Sequence, residues 1–110
     1  MKEIELYTTL NGKCPFIDWI SKLSTAYRSR INKRIERIQE GNFGDWKKLQ
    51  NSNLSELRLK FGKGYRIYFA ELNDIIILIL AGSDKSDQKE TIKKADEYLE
   101  EYLKRGDNNG

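Results

Sequence analysis

Apolar and polar residues alternate with a period of two in some stretches of this chain and with a helical period in others. In Lys2–Thr8, Ile4 and Leu6 alternate with charged residues and predict a first strand. Leu57, Leu59 and Phe61 alternate with Arg58 and Lys60, and Tyr65, Ile67 and Phe69 alternate with Arg66 and Tyr68, which predicts two more. Ile75–Ala81 ("IIILILA") is apolar throughout, the pattern of a strand buried on both faces. Helical spacing groups Phe16, Trp19, Ile20 and Leu23 in a short helix opened by Pro15, whose missing N–H costs nothing there. A second helix, Ala26–Glu40, has Tyr27, Ile31, Ile35 and Ile38 as its stripe, Ser24 or Thr25 as cap and Gly41 as terminator. A last helix starts near Ser86, with Ile92, Ala95, Leu99 and Leu103 on one side. Gly41–Asn53 reads as a loop. The expectation is one α+β domain over residues 1–105: two N-terminal helices on a mainly antiparallel four-stranded sheet, a C-terminal helix, and a disordered tail over 106–110.

The hairpin pattern constrains its own register. Leu57, Leu59, Phe61, Tyr65, Ile67 and Phe69 must share one buried face, so paired positions must sum to an even number. A loop of three or five residues satisfies this, whereas a two-residue turn at Gly62-Lys63 does not. Sums near 124 then set Arg58 opposite Arg66, away from that core. Facing cations repel, so the pair invites an anion. Two guanidinium groups match the oxygens of a phosphate. The bland alternative is separate pairing, for example with Glu56. On the repulsion argument, removing either arginine is expected to leave stability intact or slightly raised.

Charge sharpens the picture. Net charge is +3, yet residues 22–66 carry twelve Lys and Arg against four acids, while residues 67–110 carry six against ten. A basic block of this kind in a small domain suits an anionic partner such as nucleic acid. The chain has no histidine and a single cysteine, Cys14, which excludes a Ser-His-Asp triad, a disulfide within the chain and a zinc site of the usual ligands. No metal and no cofactor is expected. No apolar run reaches membrane-spanning length, and the N-terminal residues lack a signal-peptide pattern, so a cytoplasmic protein with no membrane partner is expected.

In order, "PFIDWISKL", "RINKRIERIQEGNFGDWKKL", "SELRLKFGKGYRIYF" and "ILILAGSDKSDQ" resemble the RelE/ParE superfamily of type II toxins, in its HigB-like branch of addiction-module killer proteins. The similarity runs from about Pro15 to Ala95. It implies a ribosome-dependent mRNA endonuclease held in check by a cognate antitoxin, one of helix-turn-helix type being expected. On motif position it implies Arg58, Arg66 and Lys85 as catalytic residues and Lys47 and Lys48 as nucleic-acid-binding residues; Tyr68 joins the catalytic candidates as an aid to proton movement, and Lys60 and Lys63 join the nucleic-acid-binding ones. The tyrosine that RelE carries after the last basic position falls near Thr91 here, and Lys85 stands where HigB-type nucleases often have histidine. The superfamily also contains ParE-like DNA gyrase poisons, which perform no nuclease chemistry. An inactive homologue that only binds antitoxin is the third reading.

Overall fold

A computed structural model describes residues 1–108. Its elements, in chain order, are β1 (Glu3–Leu6), α1 (Pro15–Ile20), α2 (Thr25–Gln39), β2 (Trp46–Lys48), β3 (Ser55–Arg58), β4 (Arg66–Glu71), β5 (Ile76–Ser83) and α3 (Gln88–Asn108). One five-stranded sheet has the order β1-β5-β4-β3-β2. The pairs β2–β3, β3–β4 and β4–β5 are antiparallel, and β1 runs parallel to β5. The architecture is α+β, with a five-stranded mixed sheet in place of the expected four strands; three of its four pairings are antiparallel, as expected, and only β1 runs parallel to its neighbour.

The extra strand explains the difference. Trp46–Lys48 lies inside the stretch read as a loop, and it pairs antiparallel with the next strand, Trp46 with Leu57 and Lys48 with Ser55. Three residues flanked by Gly44, Asp45 and polar Gln50-Asn51 carry no local signal strong enough to reveal it. Strand β1 is found where its alternation put it, but its parallel partner lies some 70 residues downstream, a long-range choice invisible to a local pattern. Helix α3 is described through Asn108, and the remainder of the expected tail, residues 109–110, lies outside the described residues.

Two cores sandwich the sheet. On one side, Phe16 and Ile20 of α1 and Ile31 and Ile38 of α2 pack on Leu57, Ile67, Phe69, Ile77 and Ile79. On the other, Ala95 and Leu99 of α3 cover Tyr68, Ala70, Leu78 and Leu80. Fully burying each large aliphatic side chain stabilises by about 1.5–3 kcal/mol. The caps follow the sequence. Ser24 Oγ accepts from the Tyr27 N–H at 3.3 Å, and Gly41 (φ 89°) lets the Asn42 N–H close back on the Arg37 carbonyl at 2.8 Å.

The β3–β4 register has the predicted sum: Ser55 faces Phe69, Leu57 faces Ile67, and Arg58 faces Arg66. The Leu59 N–H then bonds the Tyr65 carbonyl at 3.0 Å, leaving 60–64 as the loop. A register shift between Tyr68 and Phe69 against β5 leaves Leu80 as the extra residue of a bulge. The bulge turns Leu80 and Ala81 to the same core, and beyond it Ser83 faces Arg66.

Candidate functional site

The charged end of the hairpin is built around a carboxylate. Glu56 is fully buried and precedes Arg58 by two positions on β3, so both side chains leave the same face of the sheet. Glu56 Oε1 lies 3.1 Å from Arg58 Nε and 3.7 Å from Arg66 Nε. Its other oxygen accepts a hydrogen bond from Gln88 Nε2, at the start of α3, at 2.9 Å. The facing arginines therefore have an internal anion between them. This corrects the expectation that they merely repel: losing either one strips compensation from a buried carboxylate, and stability must fall. Separate pairing with Glu56, the bland alternative, is half of what is found, since both arginines share one oxygen atom.

One carboxylate does not neutralise two guanidinium groups. Arg66 donates Nη1 to the carbonyls of Gly64 (3.1 Å) and Tyr65 (3.2 Å), which fixes it to the loop, and its side chain is only 13% exposed. Arg58 is more open, at 37%, and only its Nε is engaged among the described residues. Arg58 lines a cleft of about 530 Å³ together with Asp45, Lys60, Gly62, Gly64, Arg66 and Lys85. A second cleft of about 410 Å³ shares Asp45, Arg58, Lys60 and Phe61 and continues to Arg30, Lys33, Arg34 and Arg37 on α2. Together they form one cationic groove with a single lining carboxylate, Asp45, which sits 3.7 Å from Lys60.

Local packing holds this groove in shape. Gly64 has φ 71°, and a Cβ there would meet the Lys85 side chain at 3.0 Å, so glycine lets the lysine stem lie along the loop. The Lys85 N–H reaches the Lys63 carbonyl at 3.4 Å, tying the end of β5 to the same loop. Arg34 donates to the carbonyls of Phe43 (3.1 Å) and Arg58 (3.4 Å), bracing the segment before β2. Burial first, then neighbouring Arg37, draws its pKa below the ordinary arginine value. The Arg30 guanidinium lies over the Phe61 ring at 4.0 Å.

Of the residues singled out from sequence, Arg58, Arg66, Lys60 and Lys85 converge on the groove. Lys63 belongs to the same loop through its backbone. Lys47 is exposed on the edge strand beside Glu56 in the ladder, and Lys48 borders a different cleft with Glu71 and Leu103. Tyr68 is not brought to the groove: it is fully buried, its hydroxyl is 3.0 Å from Ser83 Oγ, and burial pushes its pKa up to about 12. Glu56 was considered only as a separate pairing partner, and Gln88, Asp45 and the α2 cations were not singled out as site residues. Only the twelve-to-four charge excess of residues 22–66 hinted at α2. Among the described residues, no three carboxylate or cysteine side chains gather as a metal site. No helix among them is long and apolar enough to cross a membrane.

Comparison with known proteins supplies a family frame. The family described as Phage derived protein Gp49-like (DUF891) matches residues 18–101, a span that holds every groove residue named above. A protein of Haemophilus influenzae, itself uncharacterised, is 43% identical over 93 residues, covering 84% of this chain and 89% of its own length.

Proposed function

The chain belongs to the phage-derived Gp49-like family, and on that premise we propose that it is the toxin of a type II toxin–antitoxin module, an mRNA endonuclease acting on the ribosome. The observation that carries this reading is the unneutralised Arg58–Arg66 pair opening on a groove with Lys60 and Lys85. The resemblance to RelE/ParE toxins of the HigB-like branch points the same way.

The chemistry uses the nucleophile that RNA brings with it. The ribose 2′-OH attacks the adjacent phosphorus, the bond to the 5′-oxygen breaks, and the products are a 2′,3′-cyclic phosphate and a 5′-hydroxyl. Arg58 and Arg66 face the phosphate and stabilise the charge that grows on its oxygens, an effect of about 3–4 kcal/mol for a well-placed donor. Neither arginine serves as base, since guanidinium stays protonated. Asp45, the carboxylate that lines the groove, takes the 2′-OH proton, and the Lys85 ammonium gives one to the departing 5′-oxygen. Tyr68, with its hydroxyl enclosed beside Ser83, supports the sheet under the site and moves no proton. The α2 cations hold flanking phosphates, and the partner that silences the protein is a cognate antitoxin, of helix-turn-helix type and encoded by a neighbouring gene.

Primer extension on a reporter mRNA after brief expression in cells tests the reading. Discrete, in-frame cuts are expected, with growth restored by co-expression of the adjacent gene. An intact message accompanied by induced DNA damage would instead identify a gyrase poison.

A further inference from the structure

The buried Glu56 carboxylate and Gln88 take no part in the chemistry above. We infer that they form a positioning device: Gln88 fixes the rotation of the Glu56 carboxylate, and Glu56 in turn holds Arg58 and Arg66 as one rigid pair that presents its free N–H edge to a phosphate. The inference deepens the proposed nuclease reading and rests on it for its substrate.

Three observations carry it. First, both arginines address the same oxygen, Glu56 Oε1, at 3.1 and 3.7 Å, so the position of that one atom sets the spacing of both guanidinium groups. Second, the last torsion of a glutamate is broad and poorly defined by itself. The 2.9 Å hydrogen bond from Gln88 Nε2 to Oε2 removes that freedom across 32 residues of sequence, from the first turn of α3 to β3. Third, Arg66 Nε is buried without a hydrogen-bond partner, although Glu56 Oε1 is 3.7 Å away. Leaving a buried donor unpaired costs stability, and natural structures rarely accept it without a functional reason.

The chemistry of residue 88 fits the same role. A lysine there would compete with the arginines for the carboxylate, and a glutamate would add a second negative charge and cancel their excess. A neutral amide donor orients Glu56 and leaves the pair with net positive charge. Gln88 also closes the "GSDKSDQ" segment at the end of β5, which places the Lys85 turn and this anchor on one short stretch of chain.

The test uses Gln88→Ala and Glu56→Gln in the full chain. The first leaves the buried carboxylate in place should the second fail to fold. Two readouts are taken. One is the single-turnover cleavage rate on ribosome-bound mRNA beside the affinity for an RNA oligonucleotide blocked by 2′-O-methyl groups. The other is the arginine Nε–Hε signals in ¹⁵N NMR, which need no activity. Misplacing catalytic groups by about 1 Å costs up to ~100-fold in rate. We expect about a 10-fold loss for Gln88→Ala and about 100-fold for Glu56→Gln. Oligonucleotide affinity should stay within about twofold, or tighten for Glu56→Gln because one negative charge is gone. The Arg58 and Arg66 signals should shift and broaden in both variants. A general structural defect would weaken binding along with rate, so this split would not appear. If the signals change but wild-type protein cuts no RNA, the positioning role stands and the nuclease reading falls. Wild-type rates in both variants, or arginine signals unchanged in Gln88→Ala, would overturn the inference.

Discussion

The sheet meets charge at two places, and it treats them differently. Where β1 meets α3, Glu101 accepts the Tyr7 hydroxyl at 2.5 Å and is also paired with Arg105, whose Nη2 continues to the Thr8 carbonyl at 2.9 Å. Tyr102 reaches Glu5 in the same seam at 2.9 Å. There, Glu101 and Arg105 pair one to one, and the hydroxyls of Tyr7 and Tyr102 and Arg105 Nη2 all find acceptors. At the β3–β4 end, one buried acid meets two arginines, an Nε is left without a hydrogen bond, and further cations border the open side. The seam has the chemistry of an internal joint. The groove gathers more cations than acids around a cleft of about 530 Å³, a charge balance that suits an anionic partner.

The largest effect should come from removing the acid that the groove depends on. Glu56→Ala leaves Arg66 enclosed without its counter-charge, and about 3 kcal/mol of stability should be lost. For a chain of this size that is a fall in Tm of roughly 12 °C. A melt within a degree or two of wild type would show that the arginines relax into solvent and would break the contrast with the seam.

Alkaline pH should strain both places together. Burial is the largest cause in raising Tyr7 and Tyr68 from a usual value near 10 to about 12. The fold therefore favours the protonated phenols. Their contribution is fully present below about pH 10 and is lost as pH rises through about 12. Thermal melts from pH 9 to 12 should show Tm dropping across that window, and Tyr7→Phe combined with Tyr68→Phe should flatten the drop. An unchanged slope in the double variant would assign the alkaline transition to other groups.

Tyr68→Phe alone separates support from chemistry. Ser83 loses its buried partner, at a cost of about 1 kcal/mol, while the cleavage rate should stay at the wild-type level. A large loss of rate in a well-folded variant would return Tyr68 to the catalytic set. The smallest effect belongs to the seam. Glu101→Gln should lower Tm slightly at neutral pH. Because Arg105 and then Tyr7 hold the Glu101 carboxyl below its usual pKa, the difference from wild type should vanish as pH falls through the folded value. Added salt should shrink it as well. A loss as large as that of Glu56→Ala would mean that the two places are of one kind.

Much of this fold could be read from residue pattern, and the reasons differ from element to element. The parity of Leu57, Leu59, Tyr65 and Ile67 was enough to set Arg58 against Arg66, because slipping one residue would turn a whole face to water. The apolar run of β5 announced burial on both sides, which α1, α2 and α3 supply. The parallel pairing of β1 depends on a partner distant in sequence, and β2, although it pairs with the adjacent β3, is three residues long and shows no alternation of its own. The site was legible as far as its charges go. Its anchor was legible only in part: Glu56 could be named as a partner for one arginine but not as the shared one, and Gln88, 32 residues away, became its partner only through the docking of α3. Tyr68 shows the converse, a residue expected to move a proton in the site whose side chain is buried with its hydroxyl against Ser83.

The most direct test of the central claim, that the excess charge at the β3–β4 end exists for a phosphate of RNA, is Arg58→Ala. Arg58 is the more exposed arginine of the pair, so its loss should disturb the fold less than loss of Arg66. Cleavage of ribosome-bound mRNA, measured beside a thermal melt, should fall by about 100-fold or more in a variant that still melts cooperatively within a few degrees of wild type. Arg58→Ala with Arg66→Ala should be little slower than either alone, because groups that act as a unit are not additive. Wild-type cleavage by a folded Arg58→Ala variant would contradict the account.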